Sequence, residues 1–201
     1  KHRVANQLMA MPLYFTNTRI KVEGMENLPN DPGFSIYSNH TSMMDIPVFM
    51  CSLRKYPIGF LAKQVVADVP VLGKWIIPLG SVMIDRSNDR KAAESIIQVI
   101  KHVKNGSTMV VFPEGTRSRN GKPKPFKTKG LITMFEFAPN AVILPVSINN
   151  SWKTLRYGKF PMGLGAHITF DFHKPIELNQ FEDKETLIKD IEATITKTII
   201  L

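Results

Sequence analysis

The reading of this chain turns on Phe34-Ser35-Ile36-Tyr37-Ser38-Asn39-His40-Thr41-Ser42-Met43-Met44-Asp45-Ile46-Pro47-Val48-Phe49-Met50. Its first five residues are a short apolar run and predict a buried strand, while Ile46 to Met50 read as the body of a helix. His40 then falls on a strand-to-helix turn, where α/β proteins place functional groups. Two residues five apart on one regular helix point about 140° away from each other. His40 precedes the helix, however, with Thr41 or Ser42 available as its cap. The imidazole can therefore fold back over the first turn and meet the Asp45 carboxylate. A carboxylate on one ring nitrogen fixes the tautomer and frees the other nitrogen to accept a proton. Most His–Asp neighbours are surface polar contacts, so the pair takes its meaning from context.

Working outward, the same alternation recurs. Arg19 to Glu23 alternates and ends at Gly24, predicting a strand. Asn27 to Gly33, with two prolines, is a loop. Ile58 to Ala62, Ser81 to Ile84 and Thr108 to Phe112 predict further strands. The last of these is continuously apolar, as suits a sheet covered on both faces. Between them, Asp89 can cap a helix whose inward residues are Ala92, Ala93, Ile96, Ile97, Ile100 and Val103. Lys129 to Ala138 predicts a short helix, and Ala141 to Asn149 a strand in which Pro145 suggests a bulge or an edge. His167 to Phe172 alternates as a last strand, and Phe181 to Ile200 closes the chain as a helix with Leu187, Ile188, Ile191 and Ile195 inward. Strands alternating with helices predict a single α/β domain with a largely parallel central sheet flanked by helices.

A second stretch supplies the context for His40. Phe112-Pro113-Glu114-Gly115-Thr116-Arg117-Ser118 lies at the carboxyl end of a predicted strand, about seventy residues after Asp45. The His-x-x-x-x-Asp pair followed by FPEGTRS resembles the glycerophospholipid acyltransferases, specifically the lysophosphatidate acyltransferase type. The resemblance runs from about Ile20 to Asn149, and the two motifs together are specific. It implies a glycerolipid acyltransferase-like domain over residues 19–201, preceded by an apolar segment, residues 1–18. One departure stands out: Val65 occupies a position where that family commonly has an acidic residue.

Composition bounds the partners. The 201-residue chain is long enough for one full core, and its 43% hydrophobic content is ordinary. Its formal charge of +9 and pI near 9.7 are not ordinary and imply an anionic partner. Against nucleic acid, the aromatics are not interleaved with the basic residues. Phospholipid headgroups or a phosphorylated substrate remain. Cys51 is alone, which excludes an intrachain disulfide and a Cys-based metal site. No run of eighteen apolar residues occurs. Val4 to Phe15, with Val4, Leu8 and Met11 on one face, reads either as the tail of a membrane-lying helix or as a core helix. Val69 to Gly80, apolar and broken by prolines and glycines, reads equally as a short core helix or as a surface dipping into lipid through Trp75 and Lys74. The run Arg117, Arg119, Lys122, Lys124, Lys127 and Lys129, without an acid, is a solvated loop or a surface for anionic lipid.

The chemistry expected follows from what the sequence has and lacks. With no GxSxG elbow and no nucleophile motif around Cys51, a covalent acyl-enzyme has no obvious carrier. The direct route has His40 take the proton of an acceptor hydroxyl while Asp45 orients the ring. Arg117 is the first choice for the acceptor's phosphate, since a guanidinium grips phosphate bidentately. Glu114 and Thr116 can hold glycerol hydroxyls or shape the turn, Gly115 permits a tight backbone, and Arg86 and Lys63 at strand ends add positive field. The resemblance likewise places acceptor recognition on Glu114 to Arg117. The expected reaction moves a fatty acyl group from a thioester of coenzyme A or acyl carrier protein to lysophosphatidate, giving phosphatidate, without cofactor or metal, on the cytoplasmic face of a membrane. Competing readings are an acyltransferase for another lysophospholipid, a hydrolase that activates water, and a non-enzymatic module for anionic membranes. Glu114–Arg117 as a structural ion pair, and His2, His102, His167 and His173 as ordinary histidines, complete the expectations.

Overall fold

The computed structural model describes residues 2–31, 33–68, 72–85, 87–158 and 160–200. In chain order the elements are α1 (His2–Phe15), β1 (Arg19–Glu23), β2 (Ser35–Ser38), α2 (Asp45–Ser52), β3 (Ile58–Lys63), α3 (Leu72–Ile76), β4 (Val82–Ile84), α4 (Asp89–Lys104), β5 (Thr108–Val111), α5 (Thr128–Phe137), β6 (Val142–Asn149), β7 (His167–Phe172), β8 (Ile176–Glu177) and α6 (Lys184–Lys197). The strands form one eight-stranded sheet in the order β1-β7-β6-β2-β5-β3-β4, with β8 beside β6. Strands β6, β2, β5, β3 and β4 run parallel. β1 and β7 are parallel to each other, but β7 is antiparallel to β6. The expected α/β fold with a mostly parallel sheet is therefore the one observed.

Burial on both faces explains why β2 and β5 read as continuous runs: every residue of each is buried. On one face Phe34, Ile36, Phe60, Val110 and Phe170 pack with Met9 and Leu13 of α1 and Val48 and Phe49 of α2. On the other, Tyr37, Val82, Val111 and Ile143 pack under α4, α5 and α6. Helix α6 is capped by Asp183, whose carboxylate accepts from the amides of Glu185 and Thr186, and it buries Leu187, Ile188, Ile191 and Ile195.

Several local readings are filled in or corrected. The inward stripe of α1 is Met9 and Leu13, with Met11 exposed; the apolar residues of this helix lie all around it, so contact with α2 rather than periodicity selects the face. The side chain of Val4 lies outside the described residues. In α4 the cap is Asn88, not Asp89, and Ile97 is exposed while Ser95 and Val99 turn inward. Asp89 instead meets Lys129 across 2.7 Å of exposed surface. Pro145 is not on an edge strand, but the register does slip beside it: residues 144–145 of β6 lie opposite the three residues 173–175 between β7 and β8, a bulge-like irregularity. The proline pairs with Tyr37 of β2, and on its other side it falls where the neighbour of β6 changes from β8 to β7, so its missing N–H interrupts nothing. The two-residue strand β8 was too short to carry a pattern. Residues 69–71 and the Trp75 side chain are outside the description; of that stretch, α3 forms and buries Ile76.

Candidate active site

The parallel strands β2 and β5 are neighbours, so their carboxyl ends bring the two singled-out stretches together. At the end of β2, Asn39 is fully buried and pairs with the backbone of β6. Its Nδ2 donates to the Ile148 carbonyl at 2.9 Å, and its Oδ1 accepts from the Ile148 amide at 2.8 Å. This side chain continues the ladder after the main chain has turned away, and so fixes where His40 begins.

Three contacts from the second stretch then clamp His40. Its amide donates to Glu114 Oε1 at 2.9 Å, and its carbonyl accepts from the Ser118 amide at 2.7 Å. Its ring stacks on Phe112, with centroids 4.0 Å apart and planes 15° from parallel. Asp45 opens α2 and is fully buried. Its Oδ2 accepts from the amides of Thr41 at 2.9 Å and Ser42 at 3.0 Å, and lies 2.7 Å from His40 Nδ1. Two amides fix that oxygen as an acceptor, so the proton of the His–Asp pair rests on Nδ1. Nε2 is left as an acceptor without a protein partner among the described residues. The helix cap differs from expectation: Met44 holds that position without a side-chain bond, and Ser42 Oγ accepts from the Met44 amide instead.

His40 lines a cavity of about 330 Å³ with Lys63, Gly115, Thr116 and Arg117. Its walls are largely apolar, from Met43, Ile46, Phe60, Leu61 and Val66, and Val65 stands at the same opening. Arg117 also lines a second space of about 180 Å³ with Arg119, Trp152 and Ser42. Burial and then the neighbouring Arg119 pull the Arg117 pKa below its ordinary value, while Asp45 opposes them. A guanidinium stays charged through such a shift. Gly115 adopts φ 69°, which the turn after Pro113 requires and a side chain would resist.

The profile of the acyltransferase family matches residues 19–149. The chain belongs to the acyltransferase family. Among curated proteins it is 31% identical to the 1-acyl-sn-glycerol-3-phosphate acyltransferase of Borreliella burgdorferi, over 93% of this chain and 74% of the relative. It is 30% identical to a chloroplastic 1-acyl-sn-glycerol-3-phosphate acyltransferase of Arabidopsis thaliana, over 87% of this chain but only 48% of that protein. The crystal structure of the 1-acyl-sn-glycerophosphate (LPA) acyltransferase of Thermotoga maritima superposes with a TM-score of 0.83 at 28% identity, covering 98% of this chain and 77% of the other. Within the acyltransferases the resemblance is thus to the lysophosphatidate type.

Not every expected site residue faces the acyltransferase cavity. Glu114 is 1% exposed, and its second oxygen accepts from the Lys124 amide at 3.1 Å, so it ties the basic loop to His40. It makes no ion pair with Arg117 among the described residues. Burial pushes its carboxyl up to about 7 against the pull of those two amides. Arg86 lies outside the described residues; its neighbour Asp85 accepts from Ser87. Among the described residues no three His, Cys, Asp or Glu side chains converge as a metal site.

Sequence reasoning missed a buried hydroxyl relay behind Asp45. Ser151 Oγ donates to Asp45 Oδ1, and Thr41 Oγ1 lies 2.9 Å from Ser151 Oγ. Thr154 Oγ1 donates to the Ser151 carbonyl at 2.6 Å, with Ser42 Oγ 3.1 Å from it. Since Ser151 gives its proton to Asp45, Thr41 must donate to Ser151. The relay holds the second carboxylate oxygen as the amides hold the first. Its one local signal is Asn150, whose φ of 64° marks a sharp turn just before Ser151.

Proposed function

We propose that this acyltransferase moves a fatty acyl group from an acyl thioester to the free hydroxyl of lysophosphatidate, giving phosphatidate. The observation that carries the reading is the cavity shared by the braced imidazole of His40 and the guanidinium of Arg117. His40 Nε2 takes the acceptor's hydroxyl proton as that oxygen attacks the thioester carbonyl carbon. The carbon–sulfur bond breaks, and the thiolate leaves with the proton handed back by the imidazolium. Asp45 orients the ring and balances its transient charge. A positioned base of this kind contributes roughly 10²–10⁴ in rate.

Arg117 grips the phosphate, with Lys63 adding positive field, while Gly115 and Thr116 shape the wall beside the glycerol. The apolar walls take acyl chain. The donor is a thioester of coenzyme A or of acyl carrier protein, no acyl-enzyme forms, and the reaction draws on no cofactor. The acceptor is an amphiphile, so the enzyme works at a membrane surface, on its cytoplasmic face. No helix among the described residues is long and apolar enough to cross a membrane. Transfer of a labelled acyl group by the purified chain tests the reading. Equal rates for the parent and His40→Ala would discard it, and thioester loss without acceptor would point to a hydrolase.

A further inference from the structure

The loop joining β6 to β7 leaves two large apolar side chains in water: Phe160 is 90% exposed and Leu164 74%. The end of α1 does the same with Tyr14 and Phe15, 82% and 71% exposed. Backbone bonds join the Leu164 end of this loop to the end of α1. The Gly165 amide donates to the Thr16 carbonyl at 2.8 Å, and the Arg19 amide donates to the Ala166 carbonyl at 2.8 Å. Scattered exposed apolar residues need no explanation, but a contiguous patch marks an interaction.

Charge selects the partner. From Phe137 to Phe170 the sequence holds no Asp or Glu, but it holds Lys153, Arg156 and Lys159. The Arg156 guanidinium sits over the exposed Tyr157 ring, 4.6 Å from its centre. Aromatic side chains framed by cations suit the headgroup level of a bilayer with anionic lipid. A second copy of this chain would set cation against cation. Place agrees with charge: Leu155 and Gly158, from the same loop, line the 180 Å³ space with Arg117 and Ser42. The loop that carries Phe160 and Leu164 therefore borders a space that shares Arg117 and Met43 with the His40 cavity, on the side where an amphiphile can enter.

We propose that the ridge of Phe160, Leu164, Tyr14 and Phe15, flanked by Lys153 and Arg156, docks the enzyme on an anionic lipid bilayer. This rests on the functional reading in one respect, that the acceptor resides in such a bilayer.

Sedimentation of the chain with phosphatidylcholine vesicles, with and without phosphatidylglycerol, tests it. Binding should need the anionic lipid, and Phe160→Glu with Leu164→Glu should weaken it at least about tenfold. Lys153→Glu with Arg156→Glu should weaken it about twentyfold in low salt. Phe137→Glu, on the opposite face of the sheet, should leave it unchanged. A Phe160→Trp variant gives a reading independent of those substitutions: its emission should shift to the blue on vesicles and be quenched by brominated lipid. Transfer to a short-chain, monomeric lysophosphatidate should survive in the Phe160/Leu164 variant while transfer to vesicle-borne acceptor falls. Full vesicle binding by that variant, equal binding to neutral vesicles, or a dimer that the variant dissociates would each overturn the proposal. Absence of transfer from the parent with either acceptor would instead sink the functional reading and leave the docking result standing.

Discussion

Two histidines in this acyltransferase are built from the same three residue types and end in different states. His40 stands with Asp45 and Ser151; His173 stands with Asp171 and Ser147. Their side chains are equally exposed, 16% and 15%, so burial does not separate them. The order of contacts does. At the first, the carboxylate meets the ring at 2.7 Å, and the serine bonds to the carboxylate. At the second, the serine meets the ring at 2.7 Å and gives its own proton to the Ile195 carbonyl at 2.6 Å, while Asp171 is 4.0 Å away. His173 Nε2 must therefore donate to Ser147, and the cluster ties β7 and β6 to the end of α6. His40 keeps Nε2 free of protein partners among the described residues because its support comes from behind. What sets the proposed base apart is the atom the fold leaves unused, more than its neighbours.

The sharpest way to break this comparison is to remove both rings in turn. His40→Ala should lower acyl transfer by roughly 10²–10⁴ without unfolding the chain. His173→Ala should leave the rate as it is and lower stability by about 1–2 kcal/mol, because Ser147 loses its donor inside the fold. A comparable loss of rate in both, measured with labelled donor, would mean that the contact order has no consequence. Next in size is Arg117→Ala. Losing charge-assisted contacts to a phosphate should raise the acceptor KM about ten- to a hundredfold and leave the donor KM alone. Equal effects on both substrates would make Arg117 a structural residue.

The two serines extend the contrast at smaller scale. Ser151→Ala removes the donor to Asp45 Oδ1, so the carboxylate can rotate and the ring with it. The expected result is a kcat lowered about tenfold at unchanged acceptor KM, with Ser151→Thr restoring part of it. Ser147→Ala should cost about 1 kcal/mol in a urea titration and nothing in rate. If Ser151→Ala lost stability alone, the relay would be packing and no more.

Much of this was legible in the sequence, for identifiable reasons. Strands buried on both faces announce themselves as apolar runs, which is why β2, β5 and β6 were placed within about a residue. His40, Asp45 and Arg117 were legible because their residue types are scarce in such patterns. The relay was not. Ser151 lies 106 residues from the carboxylate it supports, and serines and threonines are too common for one to signal anything. Asn39 was hidden for the same reason, its partner Ile148 lying 109 residues away. For Glu114 the sequence left two roles open, holding glycerol hydroxyls or shaping the turn, and its contacts fit the second: both its oxygens serve the backbone, one on His40 and one on Lys124. The inward face of α4 was misjudged where adjacent apolar residues, such as Ile96 and Ile97, fit helical spacing equally well.

The smallest effects concern protons, and they should have opposite signs at the two sites. Burial holds Glu114 at about 7, above the 4.5 of an unconstrained glutamate. Between those values the folded chain binds the extra proton, so stability is greatest at the acid end and falls as pH rises through about 7. Burial lowers His173 from its ordinary 6.5, with Asp171 opposing. Here the unfolded chain binds the proton first, so stability is complete above 6.5 and is lost as pH falls below it. Each slope should vanish with its own residue. Glu114→Gln should flatten the loss on the alkaline side, and His173→Gln the loss on the acid side, in urea midpoints taken at half-unit steps from pH 5 to 8. The cancellation gives the test its edge: the parent can look nearly indifferent to pH across this range, while the two single variants tilt in opposite directions. If both variants tilted the same way, one of the two environments would have been assigned the wrong sign. Glu114 is the more exposed to that outcome, because its burial works against two amide donors, whereas at His173 only a carboxylate 4.0 Å away opposes.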